Sequence, residues 1–211
     1  MRARDEWNAE IRAMPAERIA KDYRFEGPDG PVGLADLFGP HDQLIVYHFM
    51  LGPGWEEGCK ACSFMTDHTA PAAVHLAHRG VAVALVSRGP LDAIQAFRKR
   101  MGWDLLWVSS EGNDFNDDFG VSVTEARAAA GDYEYNYAPA PQAAAGTELP
   151  GLSVFAKTDE GEIVHTYSTY ARGLDTFIGT YRFLDIVPRG RDEQDLAYGM
   201  EWVRHHDRYD T

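Results

Sequence analysis

The feature that most limits how this chain can fold is a pair of cysteines directly behind an apolar run. Residues 44–50 form a continuous run rich in β-branched and aromatic side chains, as expected for a strand buried on both faces. A glycine-proline turn at 52–54 follows, and then come Cys59 and Cys62 at the start of a segment with helical spacing. Strand, tight turn, Cys-x-x-Cys and helix is an arrangement in which a dithiol performs redox chemistry.

The spacing of the two cysteines predicts different environments for them. With Cys59 capping the helix and Cys62 three residues into it, both side chains lie on one face and can form a disulfide. The free N–H groups of the first turn favour an anion, so Cys59 is predicted to be the reactive thiolate. Lys60 should add to this stabilisation, whereas Glu56 and Glu57 should oppose it.

Composition limits the location and the partners of the protein. The chain has 211 residues, 45% of them hydrophobic, which suits one domain with additions. Its net charge of -13 argues against a general nucleic-acid surface or an anionic membrane as partner. The N-terminal 23 residues are too charged for a signal peptide, and no apolar run reaches membrane-spanning length. We therefore expect a cytoplasmic protein, in which reductants disfavour a static disulfide.

The remaining chain alternates between strand and helix patterns, which favours parallel strands with helices on both faces. The predicted helical elements are at 6–21, 34–38, 64–79, 91–101 and 174–186, the single strands at 44–50, 81–87 and 105–109, and the hairpins at 23–32 and 152–168. A loop at 111–148 is expected to lie across the surface. We predict a single domain over 1–211, with a core at about 23–187, an N-terminal helix at about 5–21 and a C-terminal extension at about 188–211.

These elements together resemble a known fold. A helix-opening Cys-x-x-Cys after a buried strand, then β-α-β, a proline, an antiparallel hairpin and a last helix, resembles the thioredoxin fold. The resemblance implies an α/β domain with a central mixed sheet and helices on both faces. It also places Pro150, in a cis peptide bond, opposite the dithiol. Residues 32–38 look more like the peroxiredoxin-type branch than like classical thioredoxin.

More closely, the chain resembles a bacterial family of thioredoxin-like proteins known as DUF899. The similar stretches are GWEEGC at 54–59, MGW at 101–103, WVSS at 107–110, DFN at 114–116, PGLSVF at 150–155, HTYSTYARG at 165–173 and WVRHHDRY at 202–209. They extend over most of the chain. Members are often labelled dithiol-disulfide isomerases by analogy, so the resemblance implies thiol–disulfide chemistry.

Two departures from the relatives bear on the predicted site. Thioredoxin has Trp directly before its first cysteine, whereas here Gly58 occupies that position and Trp55 lies further upstream. A glycine permits closer backbone approach but offers no aromatic platform to a partner. Peroxiredoxins carry a threonine three residues before the peroxide-reducing cysteine, but Glu56 stands there before Cys59, and Cys59 stands there before Cys62. Peroxide reduction is therefore disfavoured.

The function predicted from these residues is thiol–disulfide exchange. Cys59 would attack a substrate disulfide, and Cys62 would resolve the mixed disulfide that results. The residues expected to shape the site are Trp55, Gly58, Lys60 and Pro150, the last by presenting backbone to the substrate and keeping metals away. The substrate would be a disulfide or thiol of a protein or a small molecule, without a cofactor or a bound metal. A homodimer is left open.

Two alternatives from other classes stay open. In the first, a metal chaperone or sensor would bind Cu(I) through both thiolates and one histidine, since a closed zinc site would need more N/S ligands than two cysteines supply. The candidate histidines are His48, His68, His75 and His165, whereas His205 and His206 are expected on the solvated surface. In the second, a small molecule would bind in a groove under the loop at 111–148, lined by its tyrosines, with the cysteines as bystanders.

Overall fold

The structure is a computed structural model that describes residues 2–131, 133–139 and 147–210. Its strands are β1 Glu17–Arg18, β2 Arg24–Gly27, β3 Gly30–Gly33, β4 Gln43–His48, β5 Val81–Ser87, β6 Leu106–Ser109, β7 Glu134–Tyr135, β8 Ala138–Pro139, β9 Gly151–Lys157 and β10 Ile163–Tyr170. Its α-helices are α1 Arg2–Arg12, α2 Lys60–Ala77, α3 Leu91–Met101, α4 Phe115–Asp118, α5 Glu125–Ala130 and α6 Gly179–Leu184. Short 3₁₀ helices occur at Leu34–Phe38, Ala171–Phe177 and His206–Arg208.

One eight-stranded sheet forms the centre of the fold, in the order β1-β10-β9-β4-β5-β6-β2-β3. Strands β4, β5 and β6 are parallel neighbours, whereas β9 runs antiparallel to both β4 and β10. The predicted mixed sheet is therefore confirmed. Right-handed crossovers that advance in one direction place their helices on the same face, and side chains of α2 and α3 share one core cluster.

The sheet carries a hydrophobic cluster on each face, because alternate side chains of a strand point to opposite sides. On β4, Tyr47 belongs to the first core cluster, beneath α2 and α3, together with the fully buried Trp107. Leu44 and Val46 belong to the second core cluster, which the 3₁₀ helix Leu34–Phe38 and α4 cover. Helical elements thus lie on both faces, as predicted, with α2 and α3 on the face that carries the dithiol.

The predicted N-terminal helix is too long and is corrected by the structure. α1 ends at Arg12, and Glu17 instead pairs with His165 at the edge of the sheet. Pro15 explains the break, since proline lacks the N–H for a helical hydrogen bond and disfavours helix at the preceding residue. α1 buries none of its side chains, and Trp7 is 59% exposed.

The predicted last helix is also corrected. It divides into the 3₁₀ helix Ala171–Phe177 and the short α6, because Ile178 between them has an extended backbone conformation. The break changes the direction in which later side chains point. Ile178 and Tyr181 are buried, whereas Phe183 is 71% exposed.

The predicted loop at 111–148 contains regular structure in its described part. It holds α4, α5 and the hairpin of β7 and β8, and its positions 132 and 140–146 lie outside the described residues. Phe115, predicted within a surface loop, is fully buried in the second core cluster. In the part of the chain described here, no helix has the length and apolar character needed to cross a membrane.

Candidate active site

The backbone of Cys59 joins the end of the central strand to the first turn of α2. Cys59 is the N-cap residue, with φ −57° and ψ 130°. Its N–H donates to the Met50 carbonyl at 3.0 Å, and its own carbonyl accepts the Ser63 N–H and the Ser63 hydroxyl, both at 2.9 Å. These three hydrogen bonds hold the cysteine at the carboxyl edge of the sheet, where the first amides of the helix are free to bind an anion.

The Cys59 sulfur is placed to exist as a thiolate. Its pKa is lowered to about 6, chiefly because the Cys62 thiol donates a hydrogen bond to it. The backbone N–H groups of Cys62 and Ala61 and the charge of Lys60 act in the same direction, while burial opposes them. The side chain is partly buried and is not in a disulfide. A thiolate at neutral pH is the nucleophilic form of cysteine.

Cys62 has the opposite electrostatic character. It is 1% exposed, and burial raises its pKa well above the ordinary value, an effect increased by the neighbouring Cys59. Cys62 therefore remains a neutral thiol that donates to Cys59. One helix turn thus holds a nucleophile and a protonated partner, which is the division of labour that a two-cysteine exchange reaction requires.

The acidic residues before the dithiol oppose the thiolate less than their number suggests. Glu57 accepts hydrogen bonds from Arg100 at 2.8 Å and from Arg208 at 3.1 Å, and the Arg100 contact is the main reason that its pKa is lowered. Arg100 also binds Asp207 through two nitrogens, at 2.8 and 2.9 Å. The carboxylate of Glu57 is thus neutralised by basic residues from α3 and the C-terminal extension.

Gly58 is required by packing. A Cβ at this position would lie 2.6 Å from Cε1 of Phe49 and 2.7 Å from Cε1 of Phe97, closer than real Cβ atoms approach. A tryptophan before Cys59, as in thioredoxin, therefore does not fit here. The Gly58 carbonyl oxygen lies 2.8 Å from Nε2 of His205, which donates to it.

The C-terminal extension contributes directly to the site, which the sequence interpretation missed. His205 was expected on the solvated surface but is 5% exposed and contacts Gly58. Lys60 donates to the Glu201 carbonyl at 2.7 Å, and its ammonium lies 5.8 Å from the centre of the Tyr198 ring. The available signal was the family-like stretch at 202–209, which short-range patterns alone do not place beside the dithiol.

Pro150 lies beside the dithiol, but its peptide bond differs from the prediction. Among the described residues there is no cis peptide bond, so the cis bond predicted before Pro150 is not found. Pro150 and Cys62 line a small, mostly apolar cavity of about 70 Å³. Its other lining residues are Tyr47, Met50, Ala61, Met65, Ala171, Leu174, Ile178 and Met200. Tyr135, from the long loop, supports this wall by donating to the Pro150 carbonyl at 2.7 Å and accepting from the Ala171 N–H at 3.0 Å.

Trp55 packs partly buried against the first core cluster rather than standing free beside Cys59. The backbone N–H of Trp55 donates to the Gly52 carbonyl at 3.2 Å. The indole Nε1 of Trp55 would lie 3.2 Å from a Cβ added at Gly52. The turn that precedes the dithiol therefore packs against the side chain of Trp55. A role for Trp55 in shaping substrate approach stays a prediction.

Three of the four histidines considered as metal ligands, His48, His68 and His165, have hydrogen-bond partners of their own. His48 contacts Ser153 at 3.0 Å and Asn116 at 3.4 Å, and burial lowers its pKa to about 4. His68 contacts Thr180 at 2.9 Å. Within residues 2–131, 133–139 and 147–210, no three His, Cys, Asp or Glu side chains are grouped so as to hold a metal ion. The copper hypothesis thus lacks a third ligand in this part of the chain.

Tyr135 and Tyr137 of the long loop, together with Tyr170 of β10, line an open groove of about 230 Å³. Two of the groove tyrosines are engaged in backbone hydrogen bonds, because Tyr137 donates to the Ser168 carbonyl at 3.1 Å and Tyr170 to the Phe119 carbonyl at 3.0 Å. Their rings lie 5.7 Å apart in an edge-to-face arrangement. These contacts fasten the loop to the end of β10.

Comparison with known proteins assigns the family. A family model described as a bacterial protein of unknown function, DUF899, matches residues 1–209. The chain belongs to the DUF899 family. No protein among those with curated descriptions matches this DUF899 chain.

Solved structures similar to this DUF899 protein share its fold. Peroxidoxin BcpB from Mycobacterium tuberculosis is 12% identical with a TM-score of 0.51, covering 81% of this chain and 97% of its own. AhpC from Enterococcus faecalis is 12% identical with a TM-score of 0.51, covering 81% and 93%. A cysteine-to-serine mutant of PrxQ from Xylella fastidiosa is 10% identical with a TM-score of 0.50, covering 80% and 94%. The chain therefore has a thioredoxin-like fold.

Proposed function

We propose that this DUF899 protein catalyses thiol–disulfide exchange, with Cys59 as the nucleophile and Cys62 as the resolving thiol. The observation that carries the proposal is the placement of the two cysteines in one helix turn: Cys59 is the partly buried N-cap residue of α2, and Cys62 is buried three residues further along. In this setting the pKa of Cys59 is lowered and that of Cys62 is raised. Perturbed groups of this kind concentrate at functional sites.

The proposed reaction has two displacements. The Cys59 thiolate attacks one sulfur of a substrate disulfide, the S–S bond breaks, and the departing thiolate takes the electron pair. The Cys62 sulfur then attacks the Cys59 sulfur, which forms the Cys59–Cys62 disulfide and releases the second substrate thiol. The proton of Cys62 passes, by way of solvent, to that leaving thiolate. Two electrons move from the protein to the substrate, and an external thiol reductant would restore the dithiol.

The substrate in this proposal is a disulfide of a protein or a small molecule. Pro150 would present its backbone near the dithiol, and Gly58 and Lys60 would border the approach to Cys59. The same chemistry run in reverse would give an oxidant, and repeated attack and release would give an isomerase, since the direction depends on the potential of the pair. A reducing cytoplasm is part of the proposal, because it would keep the resting enzyme in its dithiol form.

The test is the reduction potential of the Cys59–Cys62 pair, measured in glutathione buffers with thiol trapping under metal-free conditions. We expect a reversible two-electron couple between roughly -120 and -300 mV, whose position distinguishes oxidant from reductant. Cys62→Ser is the control, since it should trap the mixed disulfide on Cys59. If no intramolecular disulfide forms across that range, the exchange reaction is excluded.

A further inference from the structure

Tyr47 is a buried polar residue that the reaction described so far does not use. It lies on β4, is 2% exposed, and lines the same 70 Å³ cavity as Cys62. Because Tyr47 and Cys62 line the same cavity, the Tyr47 hydroxyl is placed to donate to the Cys62 sulfur, and this donor lowers the pKa of the thiol against the effect of burial. The backbone N–H of Met50, another residue of the cavity wall, acts on the pKa of Cys62 in the same direction. The rest of the cavity wall is nearly all apolar.

In the second displacement Cys62 needs hydrogen-bond donors, and Tyr47 and Met50 are placed to provide them. In the resting dithiol, Cys62 keeps its proton and shares it with the Cys59 thiolate. Once Cys59 is bound in a mixed disulfide, its sulfur carries no charge. Cys62 must then become the anion, although it is only 1% exposed and the wall of its cavity is mostly apolar. A buried anion of this kind needs hydrogen-bond donors from the protein.

We propose that the Tyr47 hydroxyl and the Met50 N–H form a donor pair that stabilises the Cys62 thiolate while it attacks the mixed disulfide on Cys59. The proposal rests on the exchange reaction above and assigns Tyr47 as a further catalytic residue, in contact with a reacting sulfur. Cys62 first releases its proton to solvent; a new S–S bond then joins Cys62 to Cys59, and the bond from Cys59 to the substrate sulfur breaks. The substrate leaves as a thiolate that takes up one proton from solvent, so the proton count balances. Tyr47 donates throughout and keeps its own proton.

The electrostatic surroundings of Cys62 agree with this role. The titratable groups that face it are Cys59 from the start of α2, Tyr47 from β4 and Tyr135 from β7. Burial raises the pKa of Tyr47 far above its ordinary value, so that the hydroxyl stays a donor at every pH at which thiols react. Lys60 is held at the Glu201 carbonyl and acts on Cys59 rather than on Cys62.

The test separates the two displacements with a chromogenic disulfide, dithiobis(nitrobenzoic acid). Attack by Cys59 releases one coloured thiolate, and resolution by Cys62 releases the second, so stopped-flow absorbance records both steps in the full-length protein. In Tyr47→Phe we expect the first phase to stay within about twofold of wild type. Loss of a hydrogen bond to a charged group raises the pKa of Cys62 by roughly one to two pH units. The higher pKa leaves a smaller fraction of Cys62 ionised at neutral pH, but it also makes the remaining thiolate more nucleophilic. The two effects partly cancel, so the second phase should slow by only about three- to tenfold at neutral pH.

Tyr181→Phe is the matched control, since Tyr181 is equally buried in the first core cluster but donates to Glu193 instead of to a thiol. It should change neither phase. A Tyr47→Phe protein whose second phase keeps its wild-type rate and pH midpoint overturns the proposal. A wild-type protein that releases no first thiolate overturns the exchange reaction and this role with it. If Tyr47→Phe does not fold by circular dichroism, Tyr47→fluorotyrosine, a stronger donor, should move the second midpoint to lower pH, and an unmoved midpoint again refutes the role.

Discussion

Gly58→Ala should destabilise the protein although it adds a single methyl group. The added Cβ would lie 2.6 Å from a ring carbon of Phe49 and 2.7 Å from one of Phe97, in the core beneath the dithiol. Neither ring can move freely, because Phe49 also packs 4.5 Å from the Trp107 ring and Phe97 packs 5.4 Å from the His205 ring, centre to centre. Overpacking a filled core costs about 1–3 kcal/mol. A central value of about 2 kcal/mol would lower Tm by roughly 4–8 °C for a chain of this size.

The assay is urea unfolding of the reduced protein, with thermal unfolding as a second measure. Gly33→Ala is the matched control, because its Cβ would meet nothing closer than 3.5 Å and its φ of −91° suits any residue. Phe97→Leu shortens one of the opposing side chains, so the double variant should lose less stability than the sum of the two single variants. A Gly58→Ala protein within about 0.5 kcal/mol of wild type would refute the packing argument.

Two further predictions follow from the pKa shifts. The pH dependence of Cys59 alkylation by iodoacetamide should have its midpoint near pH 6. Cys62→Ala should move this midpoint to higher pH, because the hydrogen bond from the Cys62 thiol is the largest cause of the lowered pKa of Cys59. An unchanged midpoint would show that Cys62 does not stabilise the thiolate. Burial lowers the pKa of His48 from 6.5 to about 4 in the folded protein. As the pH falls, His48 therefore binds a proton in the unfolded chain before it does so in the folded protein, which favours unfolding. The His48 contribution should therefore destabilise the fold by about 3 kcal/mol between pH 7 and pH 4, and the pH dependence of urea unfolding should flatten in His48→Gln.

Short-range sequence patterns were sufficient to predict those strands and helices whose own residues carry a clear periodicity or turn signal. The apolar run of β5 and the amphipathic spacing of α3 were predicted with the bounds that the structure has, Val81–Ser87 and Leu91–Met101. The hairpin of β2 and β3 followed from its glycine-proline turn. The predicted N-terminal helix was too long because its apolar periodicity was extended past Pro15. Proline is itself a signal in the sequence that a helix ends. The predicted last helix is interrupted at Ile178, and the glycine that follows it, Gly179, was a local signal that the prediction passed over.

The sequence by itself determined the dithiol, its place at a helix N-terminus and the strand before it, because these depend on residues close together in the chain. The sequence also predicted that Cys59 is the thiolate, but only the tertiary structure decided which groups set the pKa values of the two cysteines. The neutralisation of Glu57 needs Arg100 and Arg208, which lie 43 and 151 residues away from it in the chain. The donor to the Cys62 sulfur comes from Tyr47, on the neighbouring strand. A pKa depends on which charges and donors surround a group in space, and in this protein packing of distant segments sets those surroundings.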